Sequence, residues 1–254
     1  MPVKPREKIL HVHFPMELDG ENIPDVDGII VGSVFCDGCR IDKGIDNWRP
    51  FIRRFRQLKG DAPVFAQQPF YLMNGMEKGF LEVLRRLAEE GLMDGVLVNS
   101  AGMALEVSRL PLDKPLHQVF SRFGIHKRRR TNRYLLQQLK ECGVRTLECF
   151  NTDSPLMEDI FAGVEGDRLL DVWIRDNANH FHSFSRACFV ELYNGYCVND
   201  PDSCASGRFS LANDKKNINL TTSGHFIYSG PVREKTGVPE ACTAIVTNIR
   251  ENEL

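Results

Sequence analysis

The run MEKGFLEVLRRLAEEGLMDGVLVNSAGMALEVSR, residues 76–109, spells a helix, a short strand and a second helix in direct succession. Over 76–91 the residues Phe80, Leu84, Leu87 and Ala88 fall on one stripe, with Glu, Lys and Arg opposite, as an amphipathic helix requires. Residues 94–99, Asp-Gly-Val-Leu-Val-Asn, are apolar without alternation, which suits a parallel strand covered on both faces. Asn99 and Ser100 then stand where side-chain oxygens can cap a helix over 101–109.

The same alternation extends in both directions. Strands are expected at 8–14, 28–34, 63–68, 116–122, 144–149 and 169–175, and helices at 45–58, 132–142 and 155–162. Gly143 is placed to end the 132–142 helix. Seven such βα units argue for a (β/α) barrel or a doubly wound sheet. No Gly-X-Gly-X-X-Gly follows the first strand, which favours the barrel. From about residue 177 the alternation fails. A polar, cysteine-bearing stretch follows, with short strand candidates at 224–229 and 242–248. The expected fold is therefore α/β, a TIM-like but incomplete barrel. Residues 1–176 form the barrel-like domain, and 177–254 a Cys-rich cap segment completing the same domain. A related barrel subunit, giving a heterodimer, is one way of finishing the wall.

At 254 residues and 42% hydrophobic content the chain can bury a full core. A net charge of −2 gives no general case for a DNA or membrane partner. The polar N-terminus leads straight into an expected strand, so no signal peptide is expected, and no apolar run nears the ~20 residues of a membrane span. A cytoplasmic location is expected. In a reducing compartment the eight cysteines are poorly explained as disulfides, which leaves metal binding or burial.

Cys36 follows the second strand, and Cys188 lies about a dozen residues beyond the seventh. In a parallel barrel both belong to loops at the carboxyl ends of the strands, where such folds build their sites. The 177–223 segment is long enough to cross that mouth. Cys36, Cys188, Cys197 and Cys204 would then supply four thiolates, the number a [4Fe–4S] cluster takes. The spacing is neither that of a zinc ribbon nor that of the Cys-X-X-X-Cys-X-X-Cys radical enzymes, and plain burial competes evenly. Burial accounts for Cys142 and Cys149. Cys39 and Cys242 are spare candidates.

Three motifs carry a family resemblance: Gly95-Val-Leu-Val-Asn-Ser-Ala-Gly102, the strand-two exit Gly32-Ser-Val-Phe-Cys36, and Ser185-Arg-Ala-Cys188. Together they resemble the collagenase-like (U32) peptidase family, closest to its branch of ubiquinone-biosynthesis accessory proteins for oxygen-independent hydroxylation. The resemblance covers roughly residues 8–230. It implies a barrel-like fold with a [4Fe–4S] cluster held by Cys36 and Cys188, with Cys204 as third ligand and Cys197, or in its place Cys242, as fourth. It also implies work beside a paired subunit on a prenylated aromatic or an RNA base, as an iron–sulfur hydroxylase or its accessory. No serine, histidine and acid arrangement supports proteolysis.

A second constellation competes. His11 and His13, two apart on strand one, point to the same side of the sheet, and His180 and His182 follow strand seven near Asp176. Metal-dependent hydrolases on this fold use such a first-strand pair, and imidazole suits zinc, iron or nickel. The bland alternative is that His11 and His13 are satisfied barrel-interior residues. His13, Asp176 and His180 are also candidates for substrate or proton handling beside a cluster. A third reading is a zinc-stabilised, non-catalytic scaffold. The basic run His126-Lys-Arg-Arg-Arg130 with Arg133 is either a solvated helix start or an anion site. The stretch Pro69-Phe-Tyr-Leu-Met73 either lines an apolar pocket or packs over the core.

Overall fold

The computed structural model describes residues 7–13, 23–33, 40–69, 76–121, 133–150, 170–176, 179–184, 208–213, 218–223, 226–231 and 242–248. Eight of its strands close into a barrel: β1 (Glu7–Val12), β2 (Gly28–Val31), β3 (Val64–Gln67), β4 (Gly95–Val98), β5 (His117–Phe120), β6 (Val144–Phe150), β7 (Asp171–Arg175) and β12 (Cys242–Asn248). The order around the wall is β1-β12-β7-β6-β5-β4-β3-β2, and every neighbouring pair is parallel. Among the described residues four helices stand between strands: α1 (Ile45–Lys59), α2 (Met76–Glu89), α3 (Ala101–Ser108) and α4 (Arg133–Glu141). The expected TIM-like barrel is present. The helix expected at 155–162 lies outside the described residues.

One expectation is corrected: the barrel is not incomplete. β12 inserts between β1 and β7, pairing Ile9 with Val246 on one side and Ile174 with Ile245 on the other. The wall needs no partner to finish it. The described residues after 177 also hold more strand than expected. They contain a four-stranded antiparallel sheet of β8 (Asn179–Phe184), β9 (Arg208–Asn213), β10 (Ile218–Ser223) and β11 (Phe226–Pro231), in the order β8-β11-β10-β9.

Two cores follow from the pleat, which sends alternate side chains to opposite faces. Outside the wall Leu10, Val12, Ile29, Val31, Val96, Val98 and Ile174 pack against Trp48, Ile52 and Phe55 of α1 and Phe80, Leu84 and Leu87 of α2. Inside it Ile9, Ile30, Phe65, Leu97, Val119, Trp173, Ala244 and Val246 form a separate plug. At the plug's floor Trp173 meets Phe65 edge-on at 4.9 Å, and His117 bonds Thr146 Oγ1 at 2.8 Å. Gly95 is required by this crowding, because a Cβ there would lie 2.5 Å from both the Phe65 ring and His117 O. Ser100 caps α3 as expected, its hydroxyl accepting from Met103 N. Gly143, at φ 91°, ends α4. Among the described residues no helix is long and apolar enough to cross a membrane.

Candidate active site at the carboxyl-end mouth

Above the apolar plug the inward positions change character. On β1, β3, β4, β5, β6 and β7 the residues within two positions of the carboxyl end are His11, Gln67, Asn99, Ser121, Glu148 and Arg175, each buried. Their positions follow from the strand period: Ile9, Phe65, Leu97, Val119 and Trp173 sit two residues before five of them, one pleat lower in the same interior. This is the end at which parallel barrels assemble binding residues from several strands.

Arg175 and Glu148 lie at the centre of one network. Their side chains are 3% and 0% exposed, so the ion pair is cut off from water. Glu148 Oε1 accepts from Arg175 Nε at 2.8 Å and Nη2 at 2.6 Å, and Glu148 Oε2 accepts from Ser121 Oγ at 2.9 Å. A buried charge costs several kcal/mol of lost hydration, by general estimates, and persists only when paired and hydrogen-bonded in this way. The third Arg175 nitrogen, Nη1, donates to His11 Nδ1 at 2.9 Å. A guanidinium has no acceptor, so Nδ1 of His11 carries no proton. Nε2 must then hold it, and donates to Gly32 O at 2.7 Å. Burial first, then the neighbouring His13 and Arg175, hold the His11 pKa well below the usual imidazole range. His11 is a neutral ring of fixed tautomer.

A second network joins β3 to β4. Gln68 O accepts from Asn99 Nδ2 at 2.7 Å and from Gln67 Nε2 at 3.0 Å, while Gln68 Oε1 takes the Asn99 backbone N–H at 2.6 Å. Both amide nitrogens are thereby used. Gln67 Oε1 and Asn99 Oδ1 are left buried without a partner.

The residues expected from the sequence divide sharply. His11 and His13 share a side of the sheet as expected, their rings stacked with centroids 4.1 Å apart. His11 is the satisfied interior histidine, with both nitrogens engaged, so it has no lone pair to offer a metal. Asp176 follows Arg175, half-buried, its amide donating to Val246 O. His180 and His182 belong to β8, a strand of the small sheet and not of the barrel wall. Cys36, Cys188, Cys197 and Cys204 lie outside the described residues, as do the basic run 126–130 and residues 70–73 of the aromatic stretch. Cys142 and Cys149 are placed by packing as expected: Cys149 is fully buried in the outer core and Cys142 lies against it.

Cys242, the spare fourth ligand, is corrected. It opens β12 at the amino end of the barrel, opposite the mouth, is 4% exposed, and its thiol donates to Ala244 O at 3.1 Å. It cannot join thiolates above the carboxyl ends. No described group of three or more His, Cys, Asp or Glu side chains is arranged to hold a metal ion.

Glu148, Arg175, Ser121, Gln67 and Asn99 were not singled out by sequence reasoning. Their signal was present: a polar or charged side chain near the carboxyl end of a mostly apolar parallel strand, in phase with its inward residues.

No family model and no curated protein matches the chain. Among solved structures it is similar to type I 3-dehydroquinate dehydratase from Clostridium difficile, at 12% identity and a TM-score of 0.49 over 70% of this chain and 78% of that one. The enzyme of the same name from Geobacillus kaustophilus aligns at 13% identity and 0.48, over 69% and 74%. The tryptophan synthase complex of Pyrococcus furiosus contains a chain that aligns at 12% and 0.46, over 68% and 79%. None of these likenesses bears on chemistry.

Proposed function

We propose that the chain is an iron–sulfur protein with a redox or accessory role in oxygen-independent hydroxylation, acting on a prenylated aromatic or an RNA base. Cys36, Cys188, Cys197 and Cys204 would hold a [4Fe–4S] cluster, which supplies electrons one at a time.

One register row supports this reading above all. Across the small sheet Phe184 pairs with Phe226, Phe226 with Ser223, and Ser223 with Arg208. Phe184 ends β8 and Arg208 begins β9, so the 185–207 segment leaves and re-enters at one end of that sheet. Three strand spacings separate those points by about 14 Å. Cys188 is four residues beyond the first and Cys204 four before the second, and four residues reach at most about 14 Å. Cys188, Cys197 and Cys204 are therefore tethered closely enough to converge. The same reach keeps Cys36 within about 14 Å of Gly32, whose carbonyl takes the His11 hydrogen bond at the barrel mouth.

In this reading the barrel's own residues do rigid work. Arg175, Glu148 and Ser121 clamp each other and hold His11 neutral, so that it positions His13 by stacking. His13 is the proton-handling candidate at the rim.

Protein purified under argon is expected to be brown, with broad absorbance near ~400 nm and about four irons and four sulfides per chain. A colourless, iron-free preparation, or iron retained after Cys188→Ser and Cys204→Ser together, overturns the proposal.

A further inference from the structure

Buried amide oxygens without donors are rare, because each one left unmade forfeits the hydration it had in the unfolded chain. Gln67 and Asn99 carry two of them on adjacent strands at the barrel mouth, at 0% and 9% exposure. Their orientation is not free. Both NH2 groups donate to the one carbonyl of Gln68, so flipping either amide would set its oxygen against that carbonyl oxygen. The oxygens are therefore held as acceptors. The other side of the mouth is satisfied within itself, the Arg175 donors answered by Glu148 and His11.

We propose that Gln67 and Asn99 form a subsite for the donor face of an uncharged small molecule, one presenting O–H or N–H groups into the barrel mouth. A carboxylate or phosphate would set oxygen against oxygen there and is excluded. An apolar ring without donors would leave both acceptors unmade. Paired hydroxyls and a carboxamide-type NH2 meet the requirement equally. This subsite stands on the barrel alone: a colourless, iron-free protein would remove the cluster and leave it untouched.

The test is calorimetric titration of the full chain with four probes of similar size: catechol (O–H donors), benzamide (N–H donors), 1,2-dimethoxybenzene (no donors) and benzoate (an anion). Catechol or benzamide is expected to bind, and which of them binds more tightly identifies the donor type. The other two are expected to be silent. Gln67→Met keeps the shape of the side chain and removes both its oxygen and the NH2 that donates to Gln68 O. It should weaken binding about threefold to tenfold, the worth of one neutral hydrogen bond. Tm should change little, because the lost Nε2 bond is offset by removal of a buried unpaired acceptor and Gln68 O keeps its bond from Asn99 Nδ2. A purely structural glutamine would leave the affinity for the donor probes unchanged. Asn99→Leu should weaken the same probe; if that variant does not fold, Gln67→Met decides alone. Equal binding of 1,2-dimethoxybenzene, no binding by either donor probe, or full affinity retained in Gln67→Met overturns the proposal.

Discussion

Arg175 and His11 are joined by a hydrogen bond of 2.9 Å that passes over β12, since the strand between β7 and β1 in the wall belongs to the far end of the chain. Only inward-pointing side chains can make that crossing. The bond ties the seventh barrel strand to the first and settles the protonation of the imidazole.

That protonation sets a pH dependence. Burial, then His13 and Arg175, depress the His11 pKa, and burial, then Arg145, lowers that of His117. The unfolded chain then binds more protons than the native one below the ordinary histidine pKa of ~6.5. Stability is fully present above that value and falls as pH drops from it toward the folded pKa values. Thermal melts from pH 8 to 5 should show a flat alkaline side and a declining acid side. His11→Asn should make that decline shallower even though it lowers the plateau.

The Glu148–Arg175 pair gives a sharper test. Glu148→Gln keeps the shape but leaves a guanidinium buried without its counter-charge, and should cost about 3–5 kcal/mol in denaturant unfolding. The double variant Glu148→Gln with Arg175→Met removes both charges and should recover a large part of that loss. If the single and double variants are equally unstable, the pair is not coupled as described.

Gly95→Ala probes the barrel interior from below. The added methyl meets a backbone carbonyl and a buried ring at 2.5 Å, neither of which yields cheaply. A loss of about 1–3 kcal/mol is expected, the usual cost of overpacking. A neutral effect in denaturant titration would mean that the β3–β4–β5 contact is looser than described.

Cysteine substitutions separate packing from ligation. Cys242→Ser at the amino end of β12 should leave iron content under argon unchanged while lowering Tm, because a buried thiol becomes a more polar hydroxyl. Cys36→Ser and Cys188→Ser should each deplete iron. Iron loss in Cys242→Ser equal to that in Cys188→Ser would contradict the placement of Cys242.

Ser100→Ala should destabilise α3 by about 0.5–2 kcal/mol, since it removes the hydroxyl that accepts from Met103 N. Hydrogen exchange should show the first turn of α3 opening more readily. An unchanged exchange rate there would mean that the cap contributes nothing.

Much of the architecture was legible because it is local. The 76–109 run carries its helix stripe, its strand and its cap within a few residues of one another, and each is present: α2, β4, and Ser100 before α3. The site was less legible. Glu148 and Arg175 stand inside stretches correctly read as strands, yet nothing local to either says that they face each other. The His11–His13 pair was visible as a pair. Its use was not, because the partners that occupy the His11 nitrogens come from residues 21 and 164 positions away.

Sequence alone determined the alternation of strand and helix and the inward phase of each strand, because side-chain periodicity is a property of neighbouring residues. Tertiary structure decided that the ring closes and that six separated polar residues meet at its mouth. β12 shows why. Its burial alternates residue by residue, as on an ordinary half-covered strand, and only hydrogen bonds to chain segments 71 and 237 residues distant make it the eighth stave of the barrel.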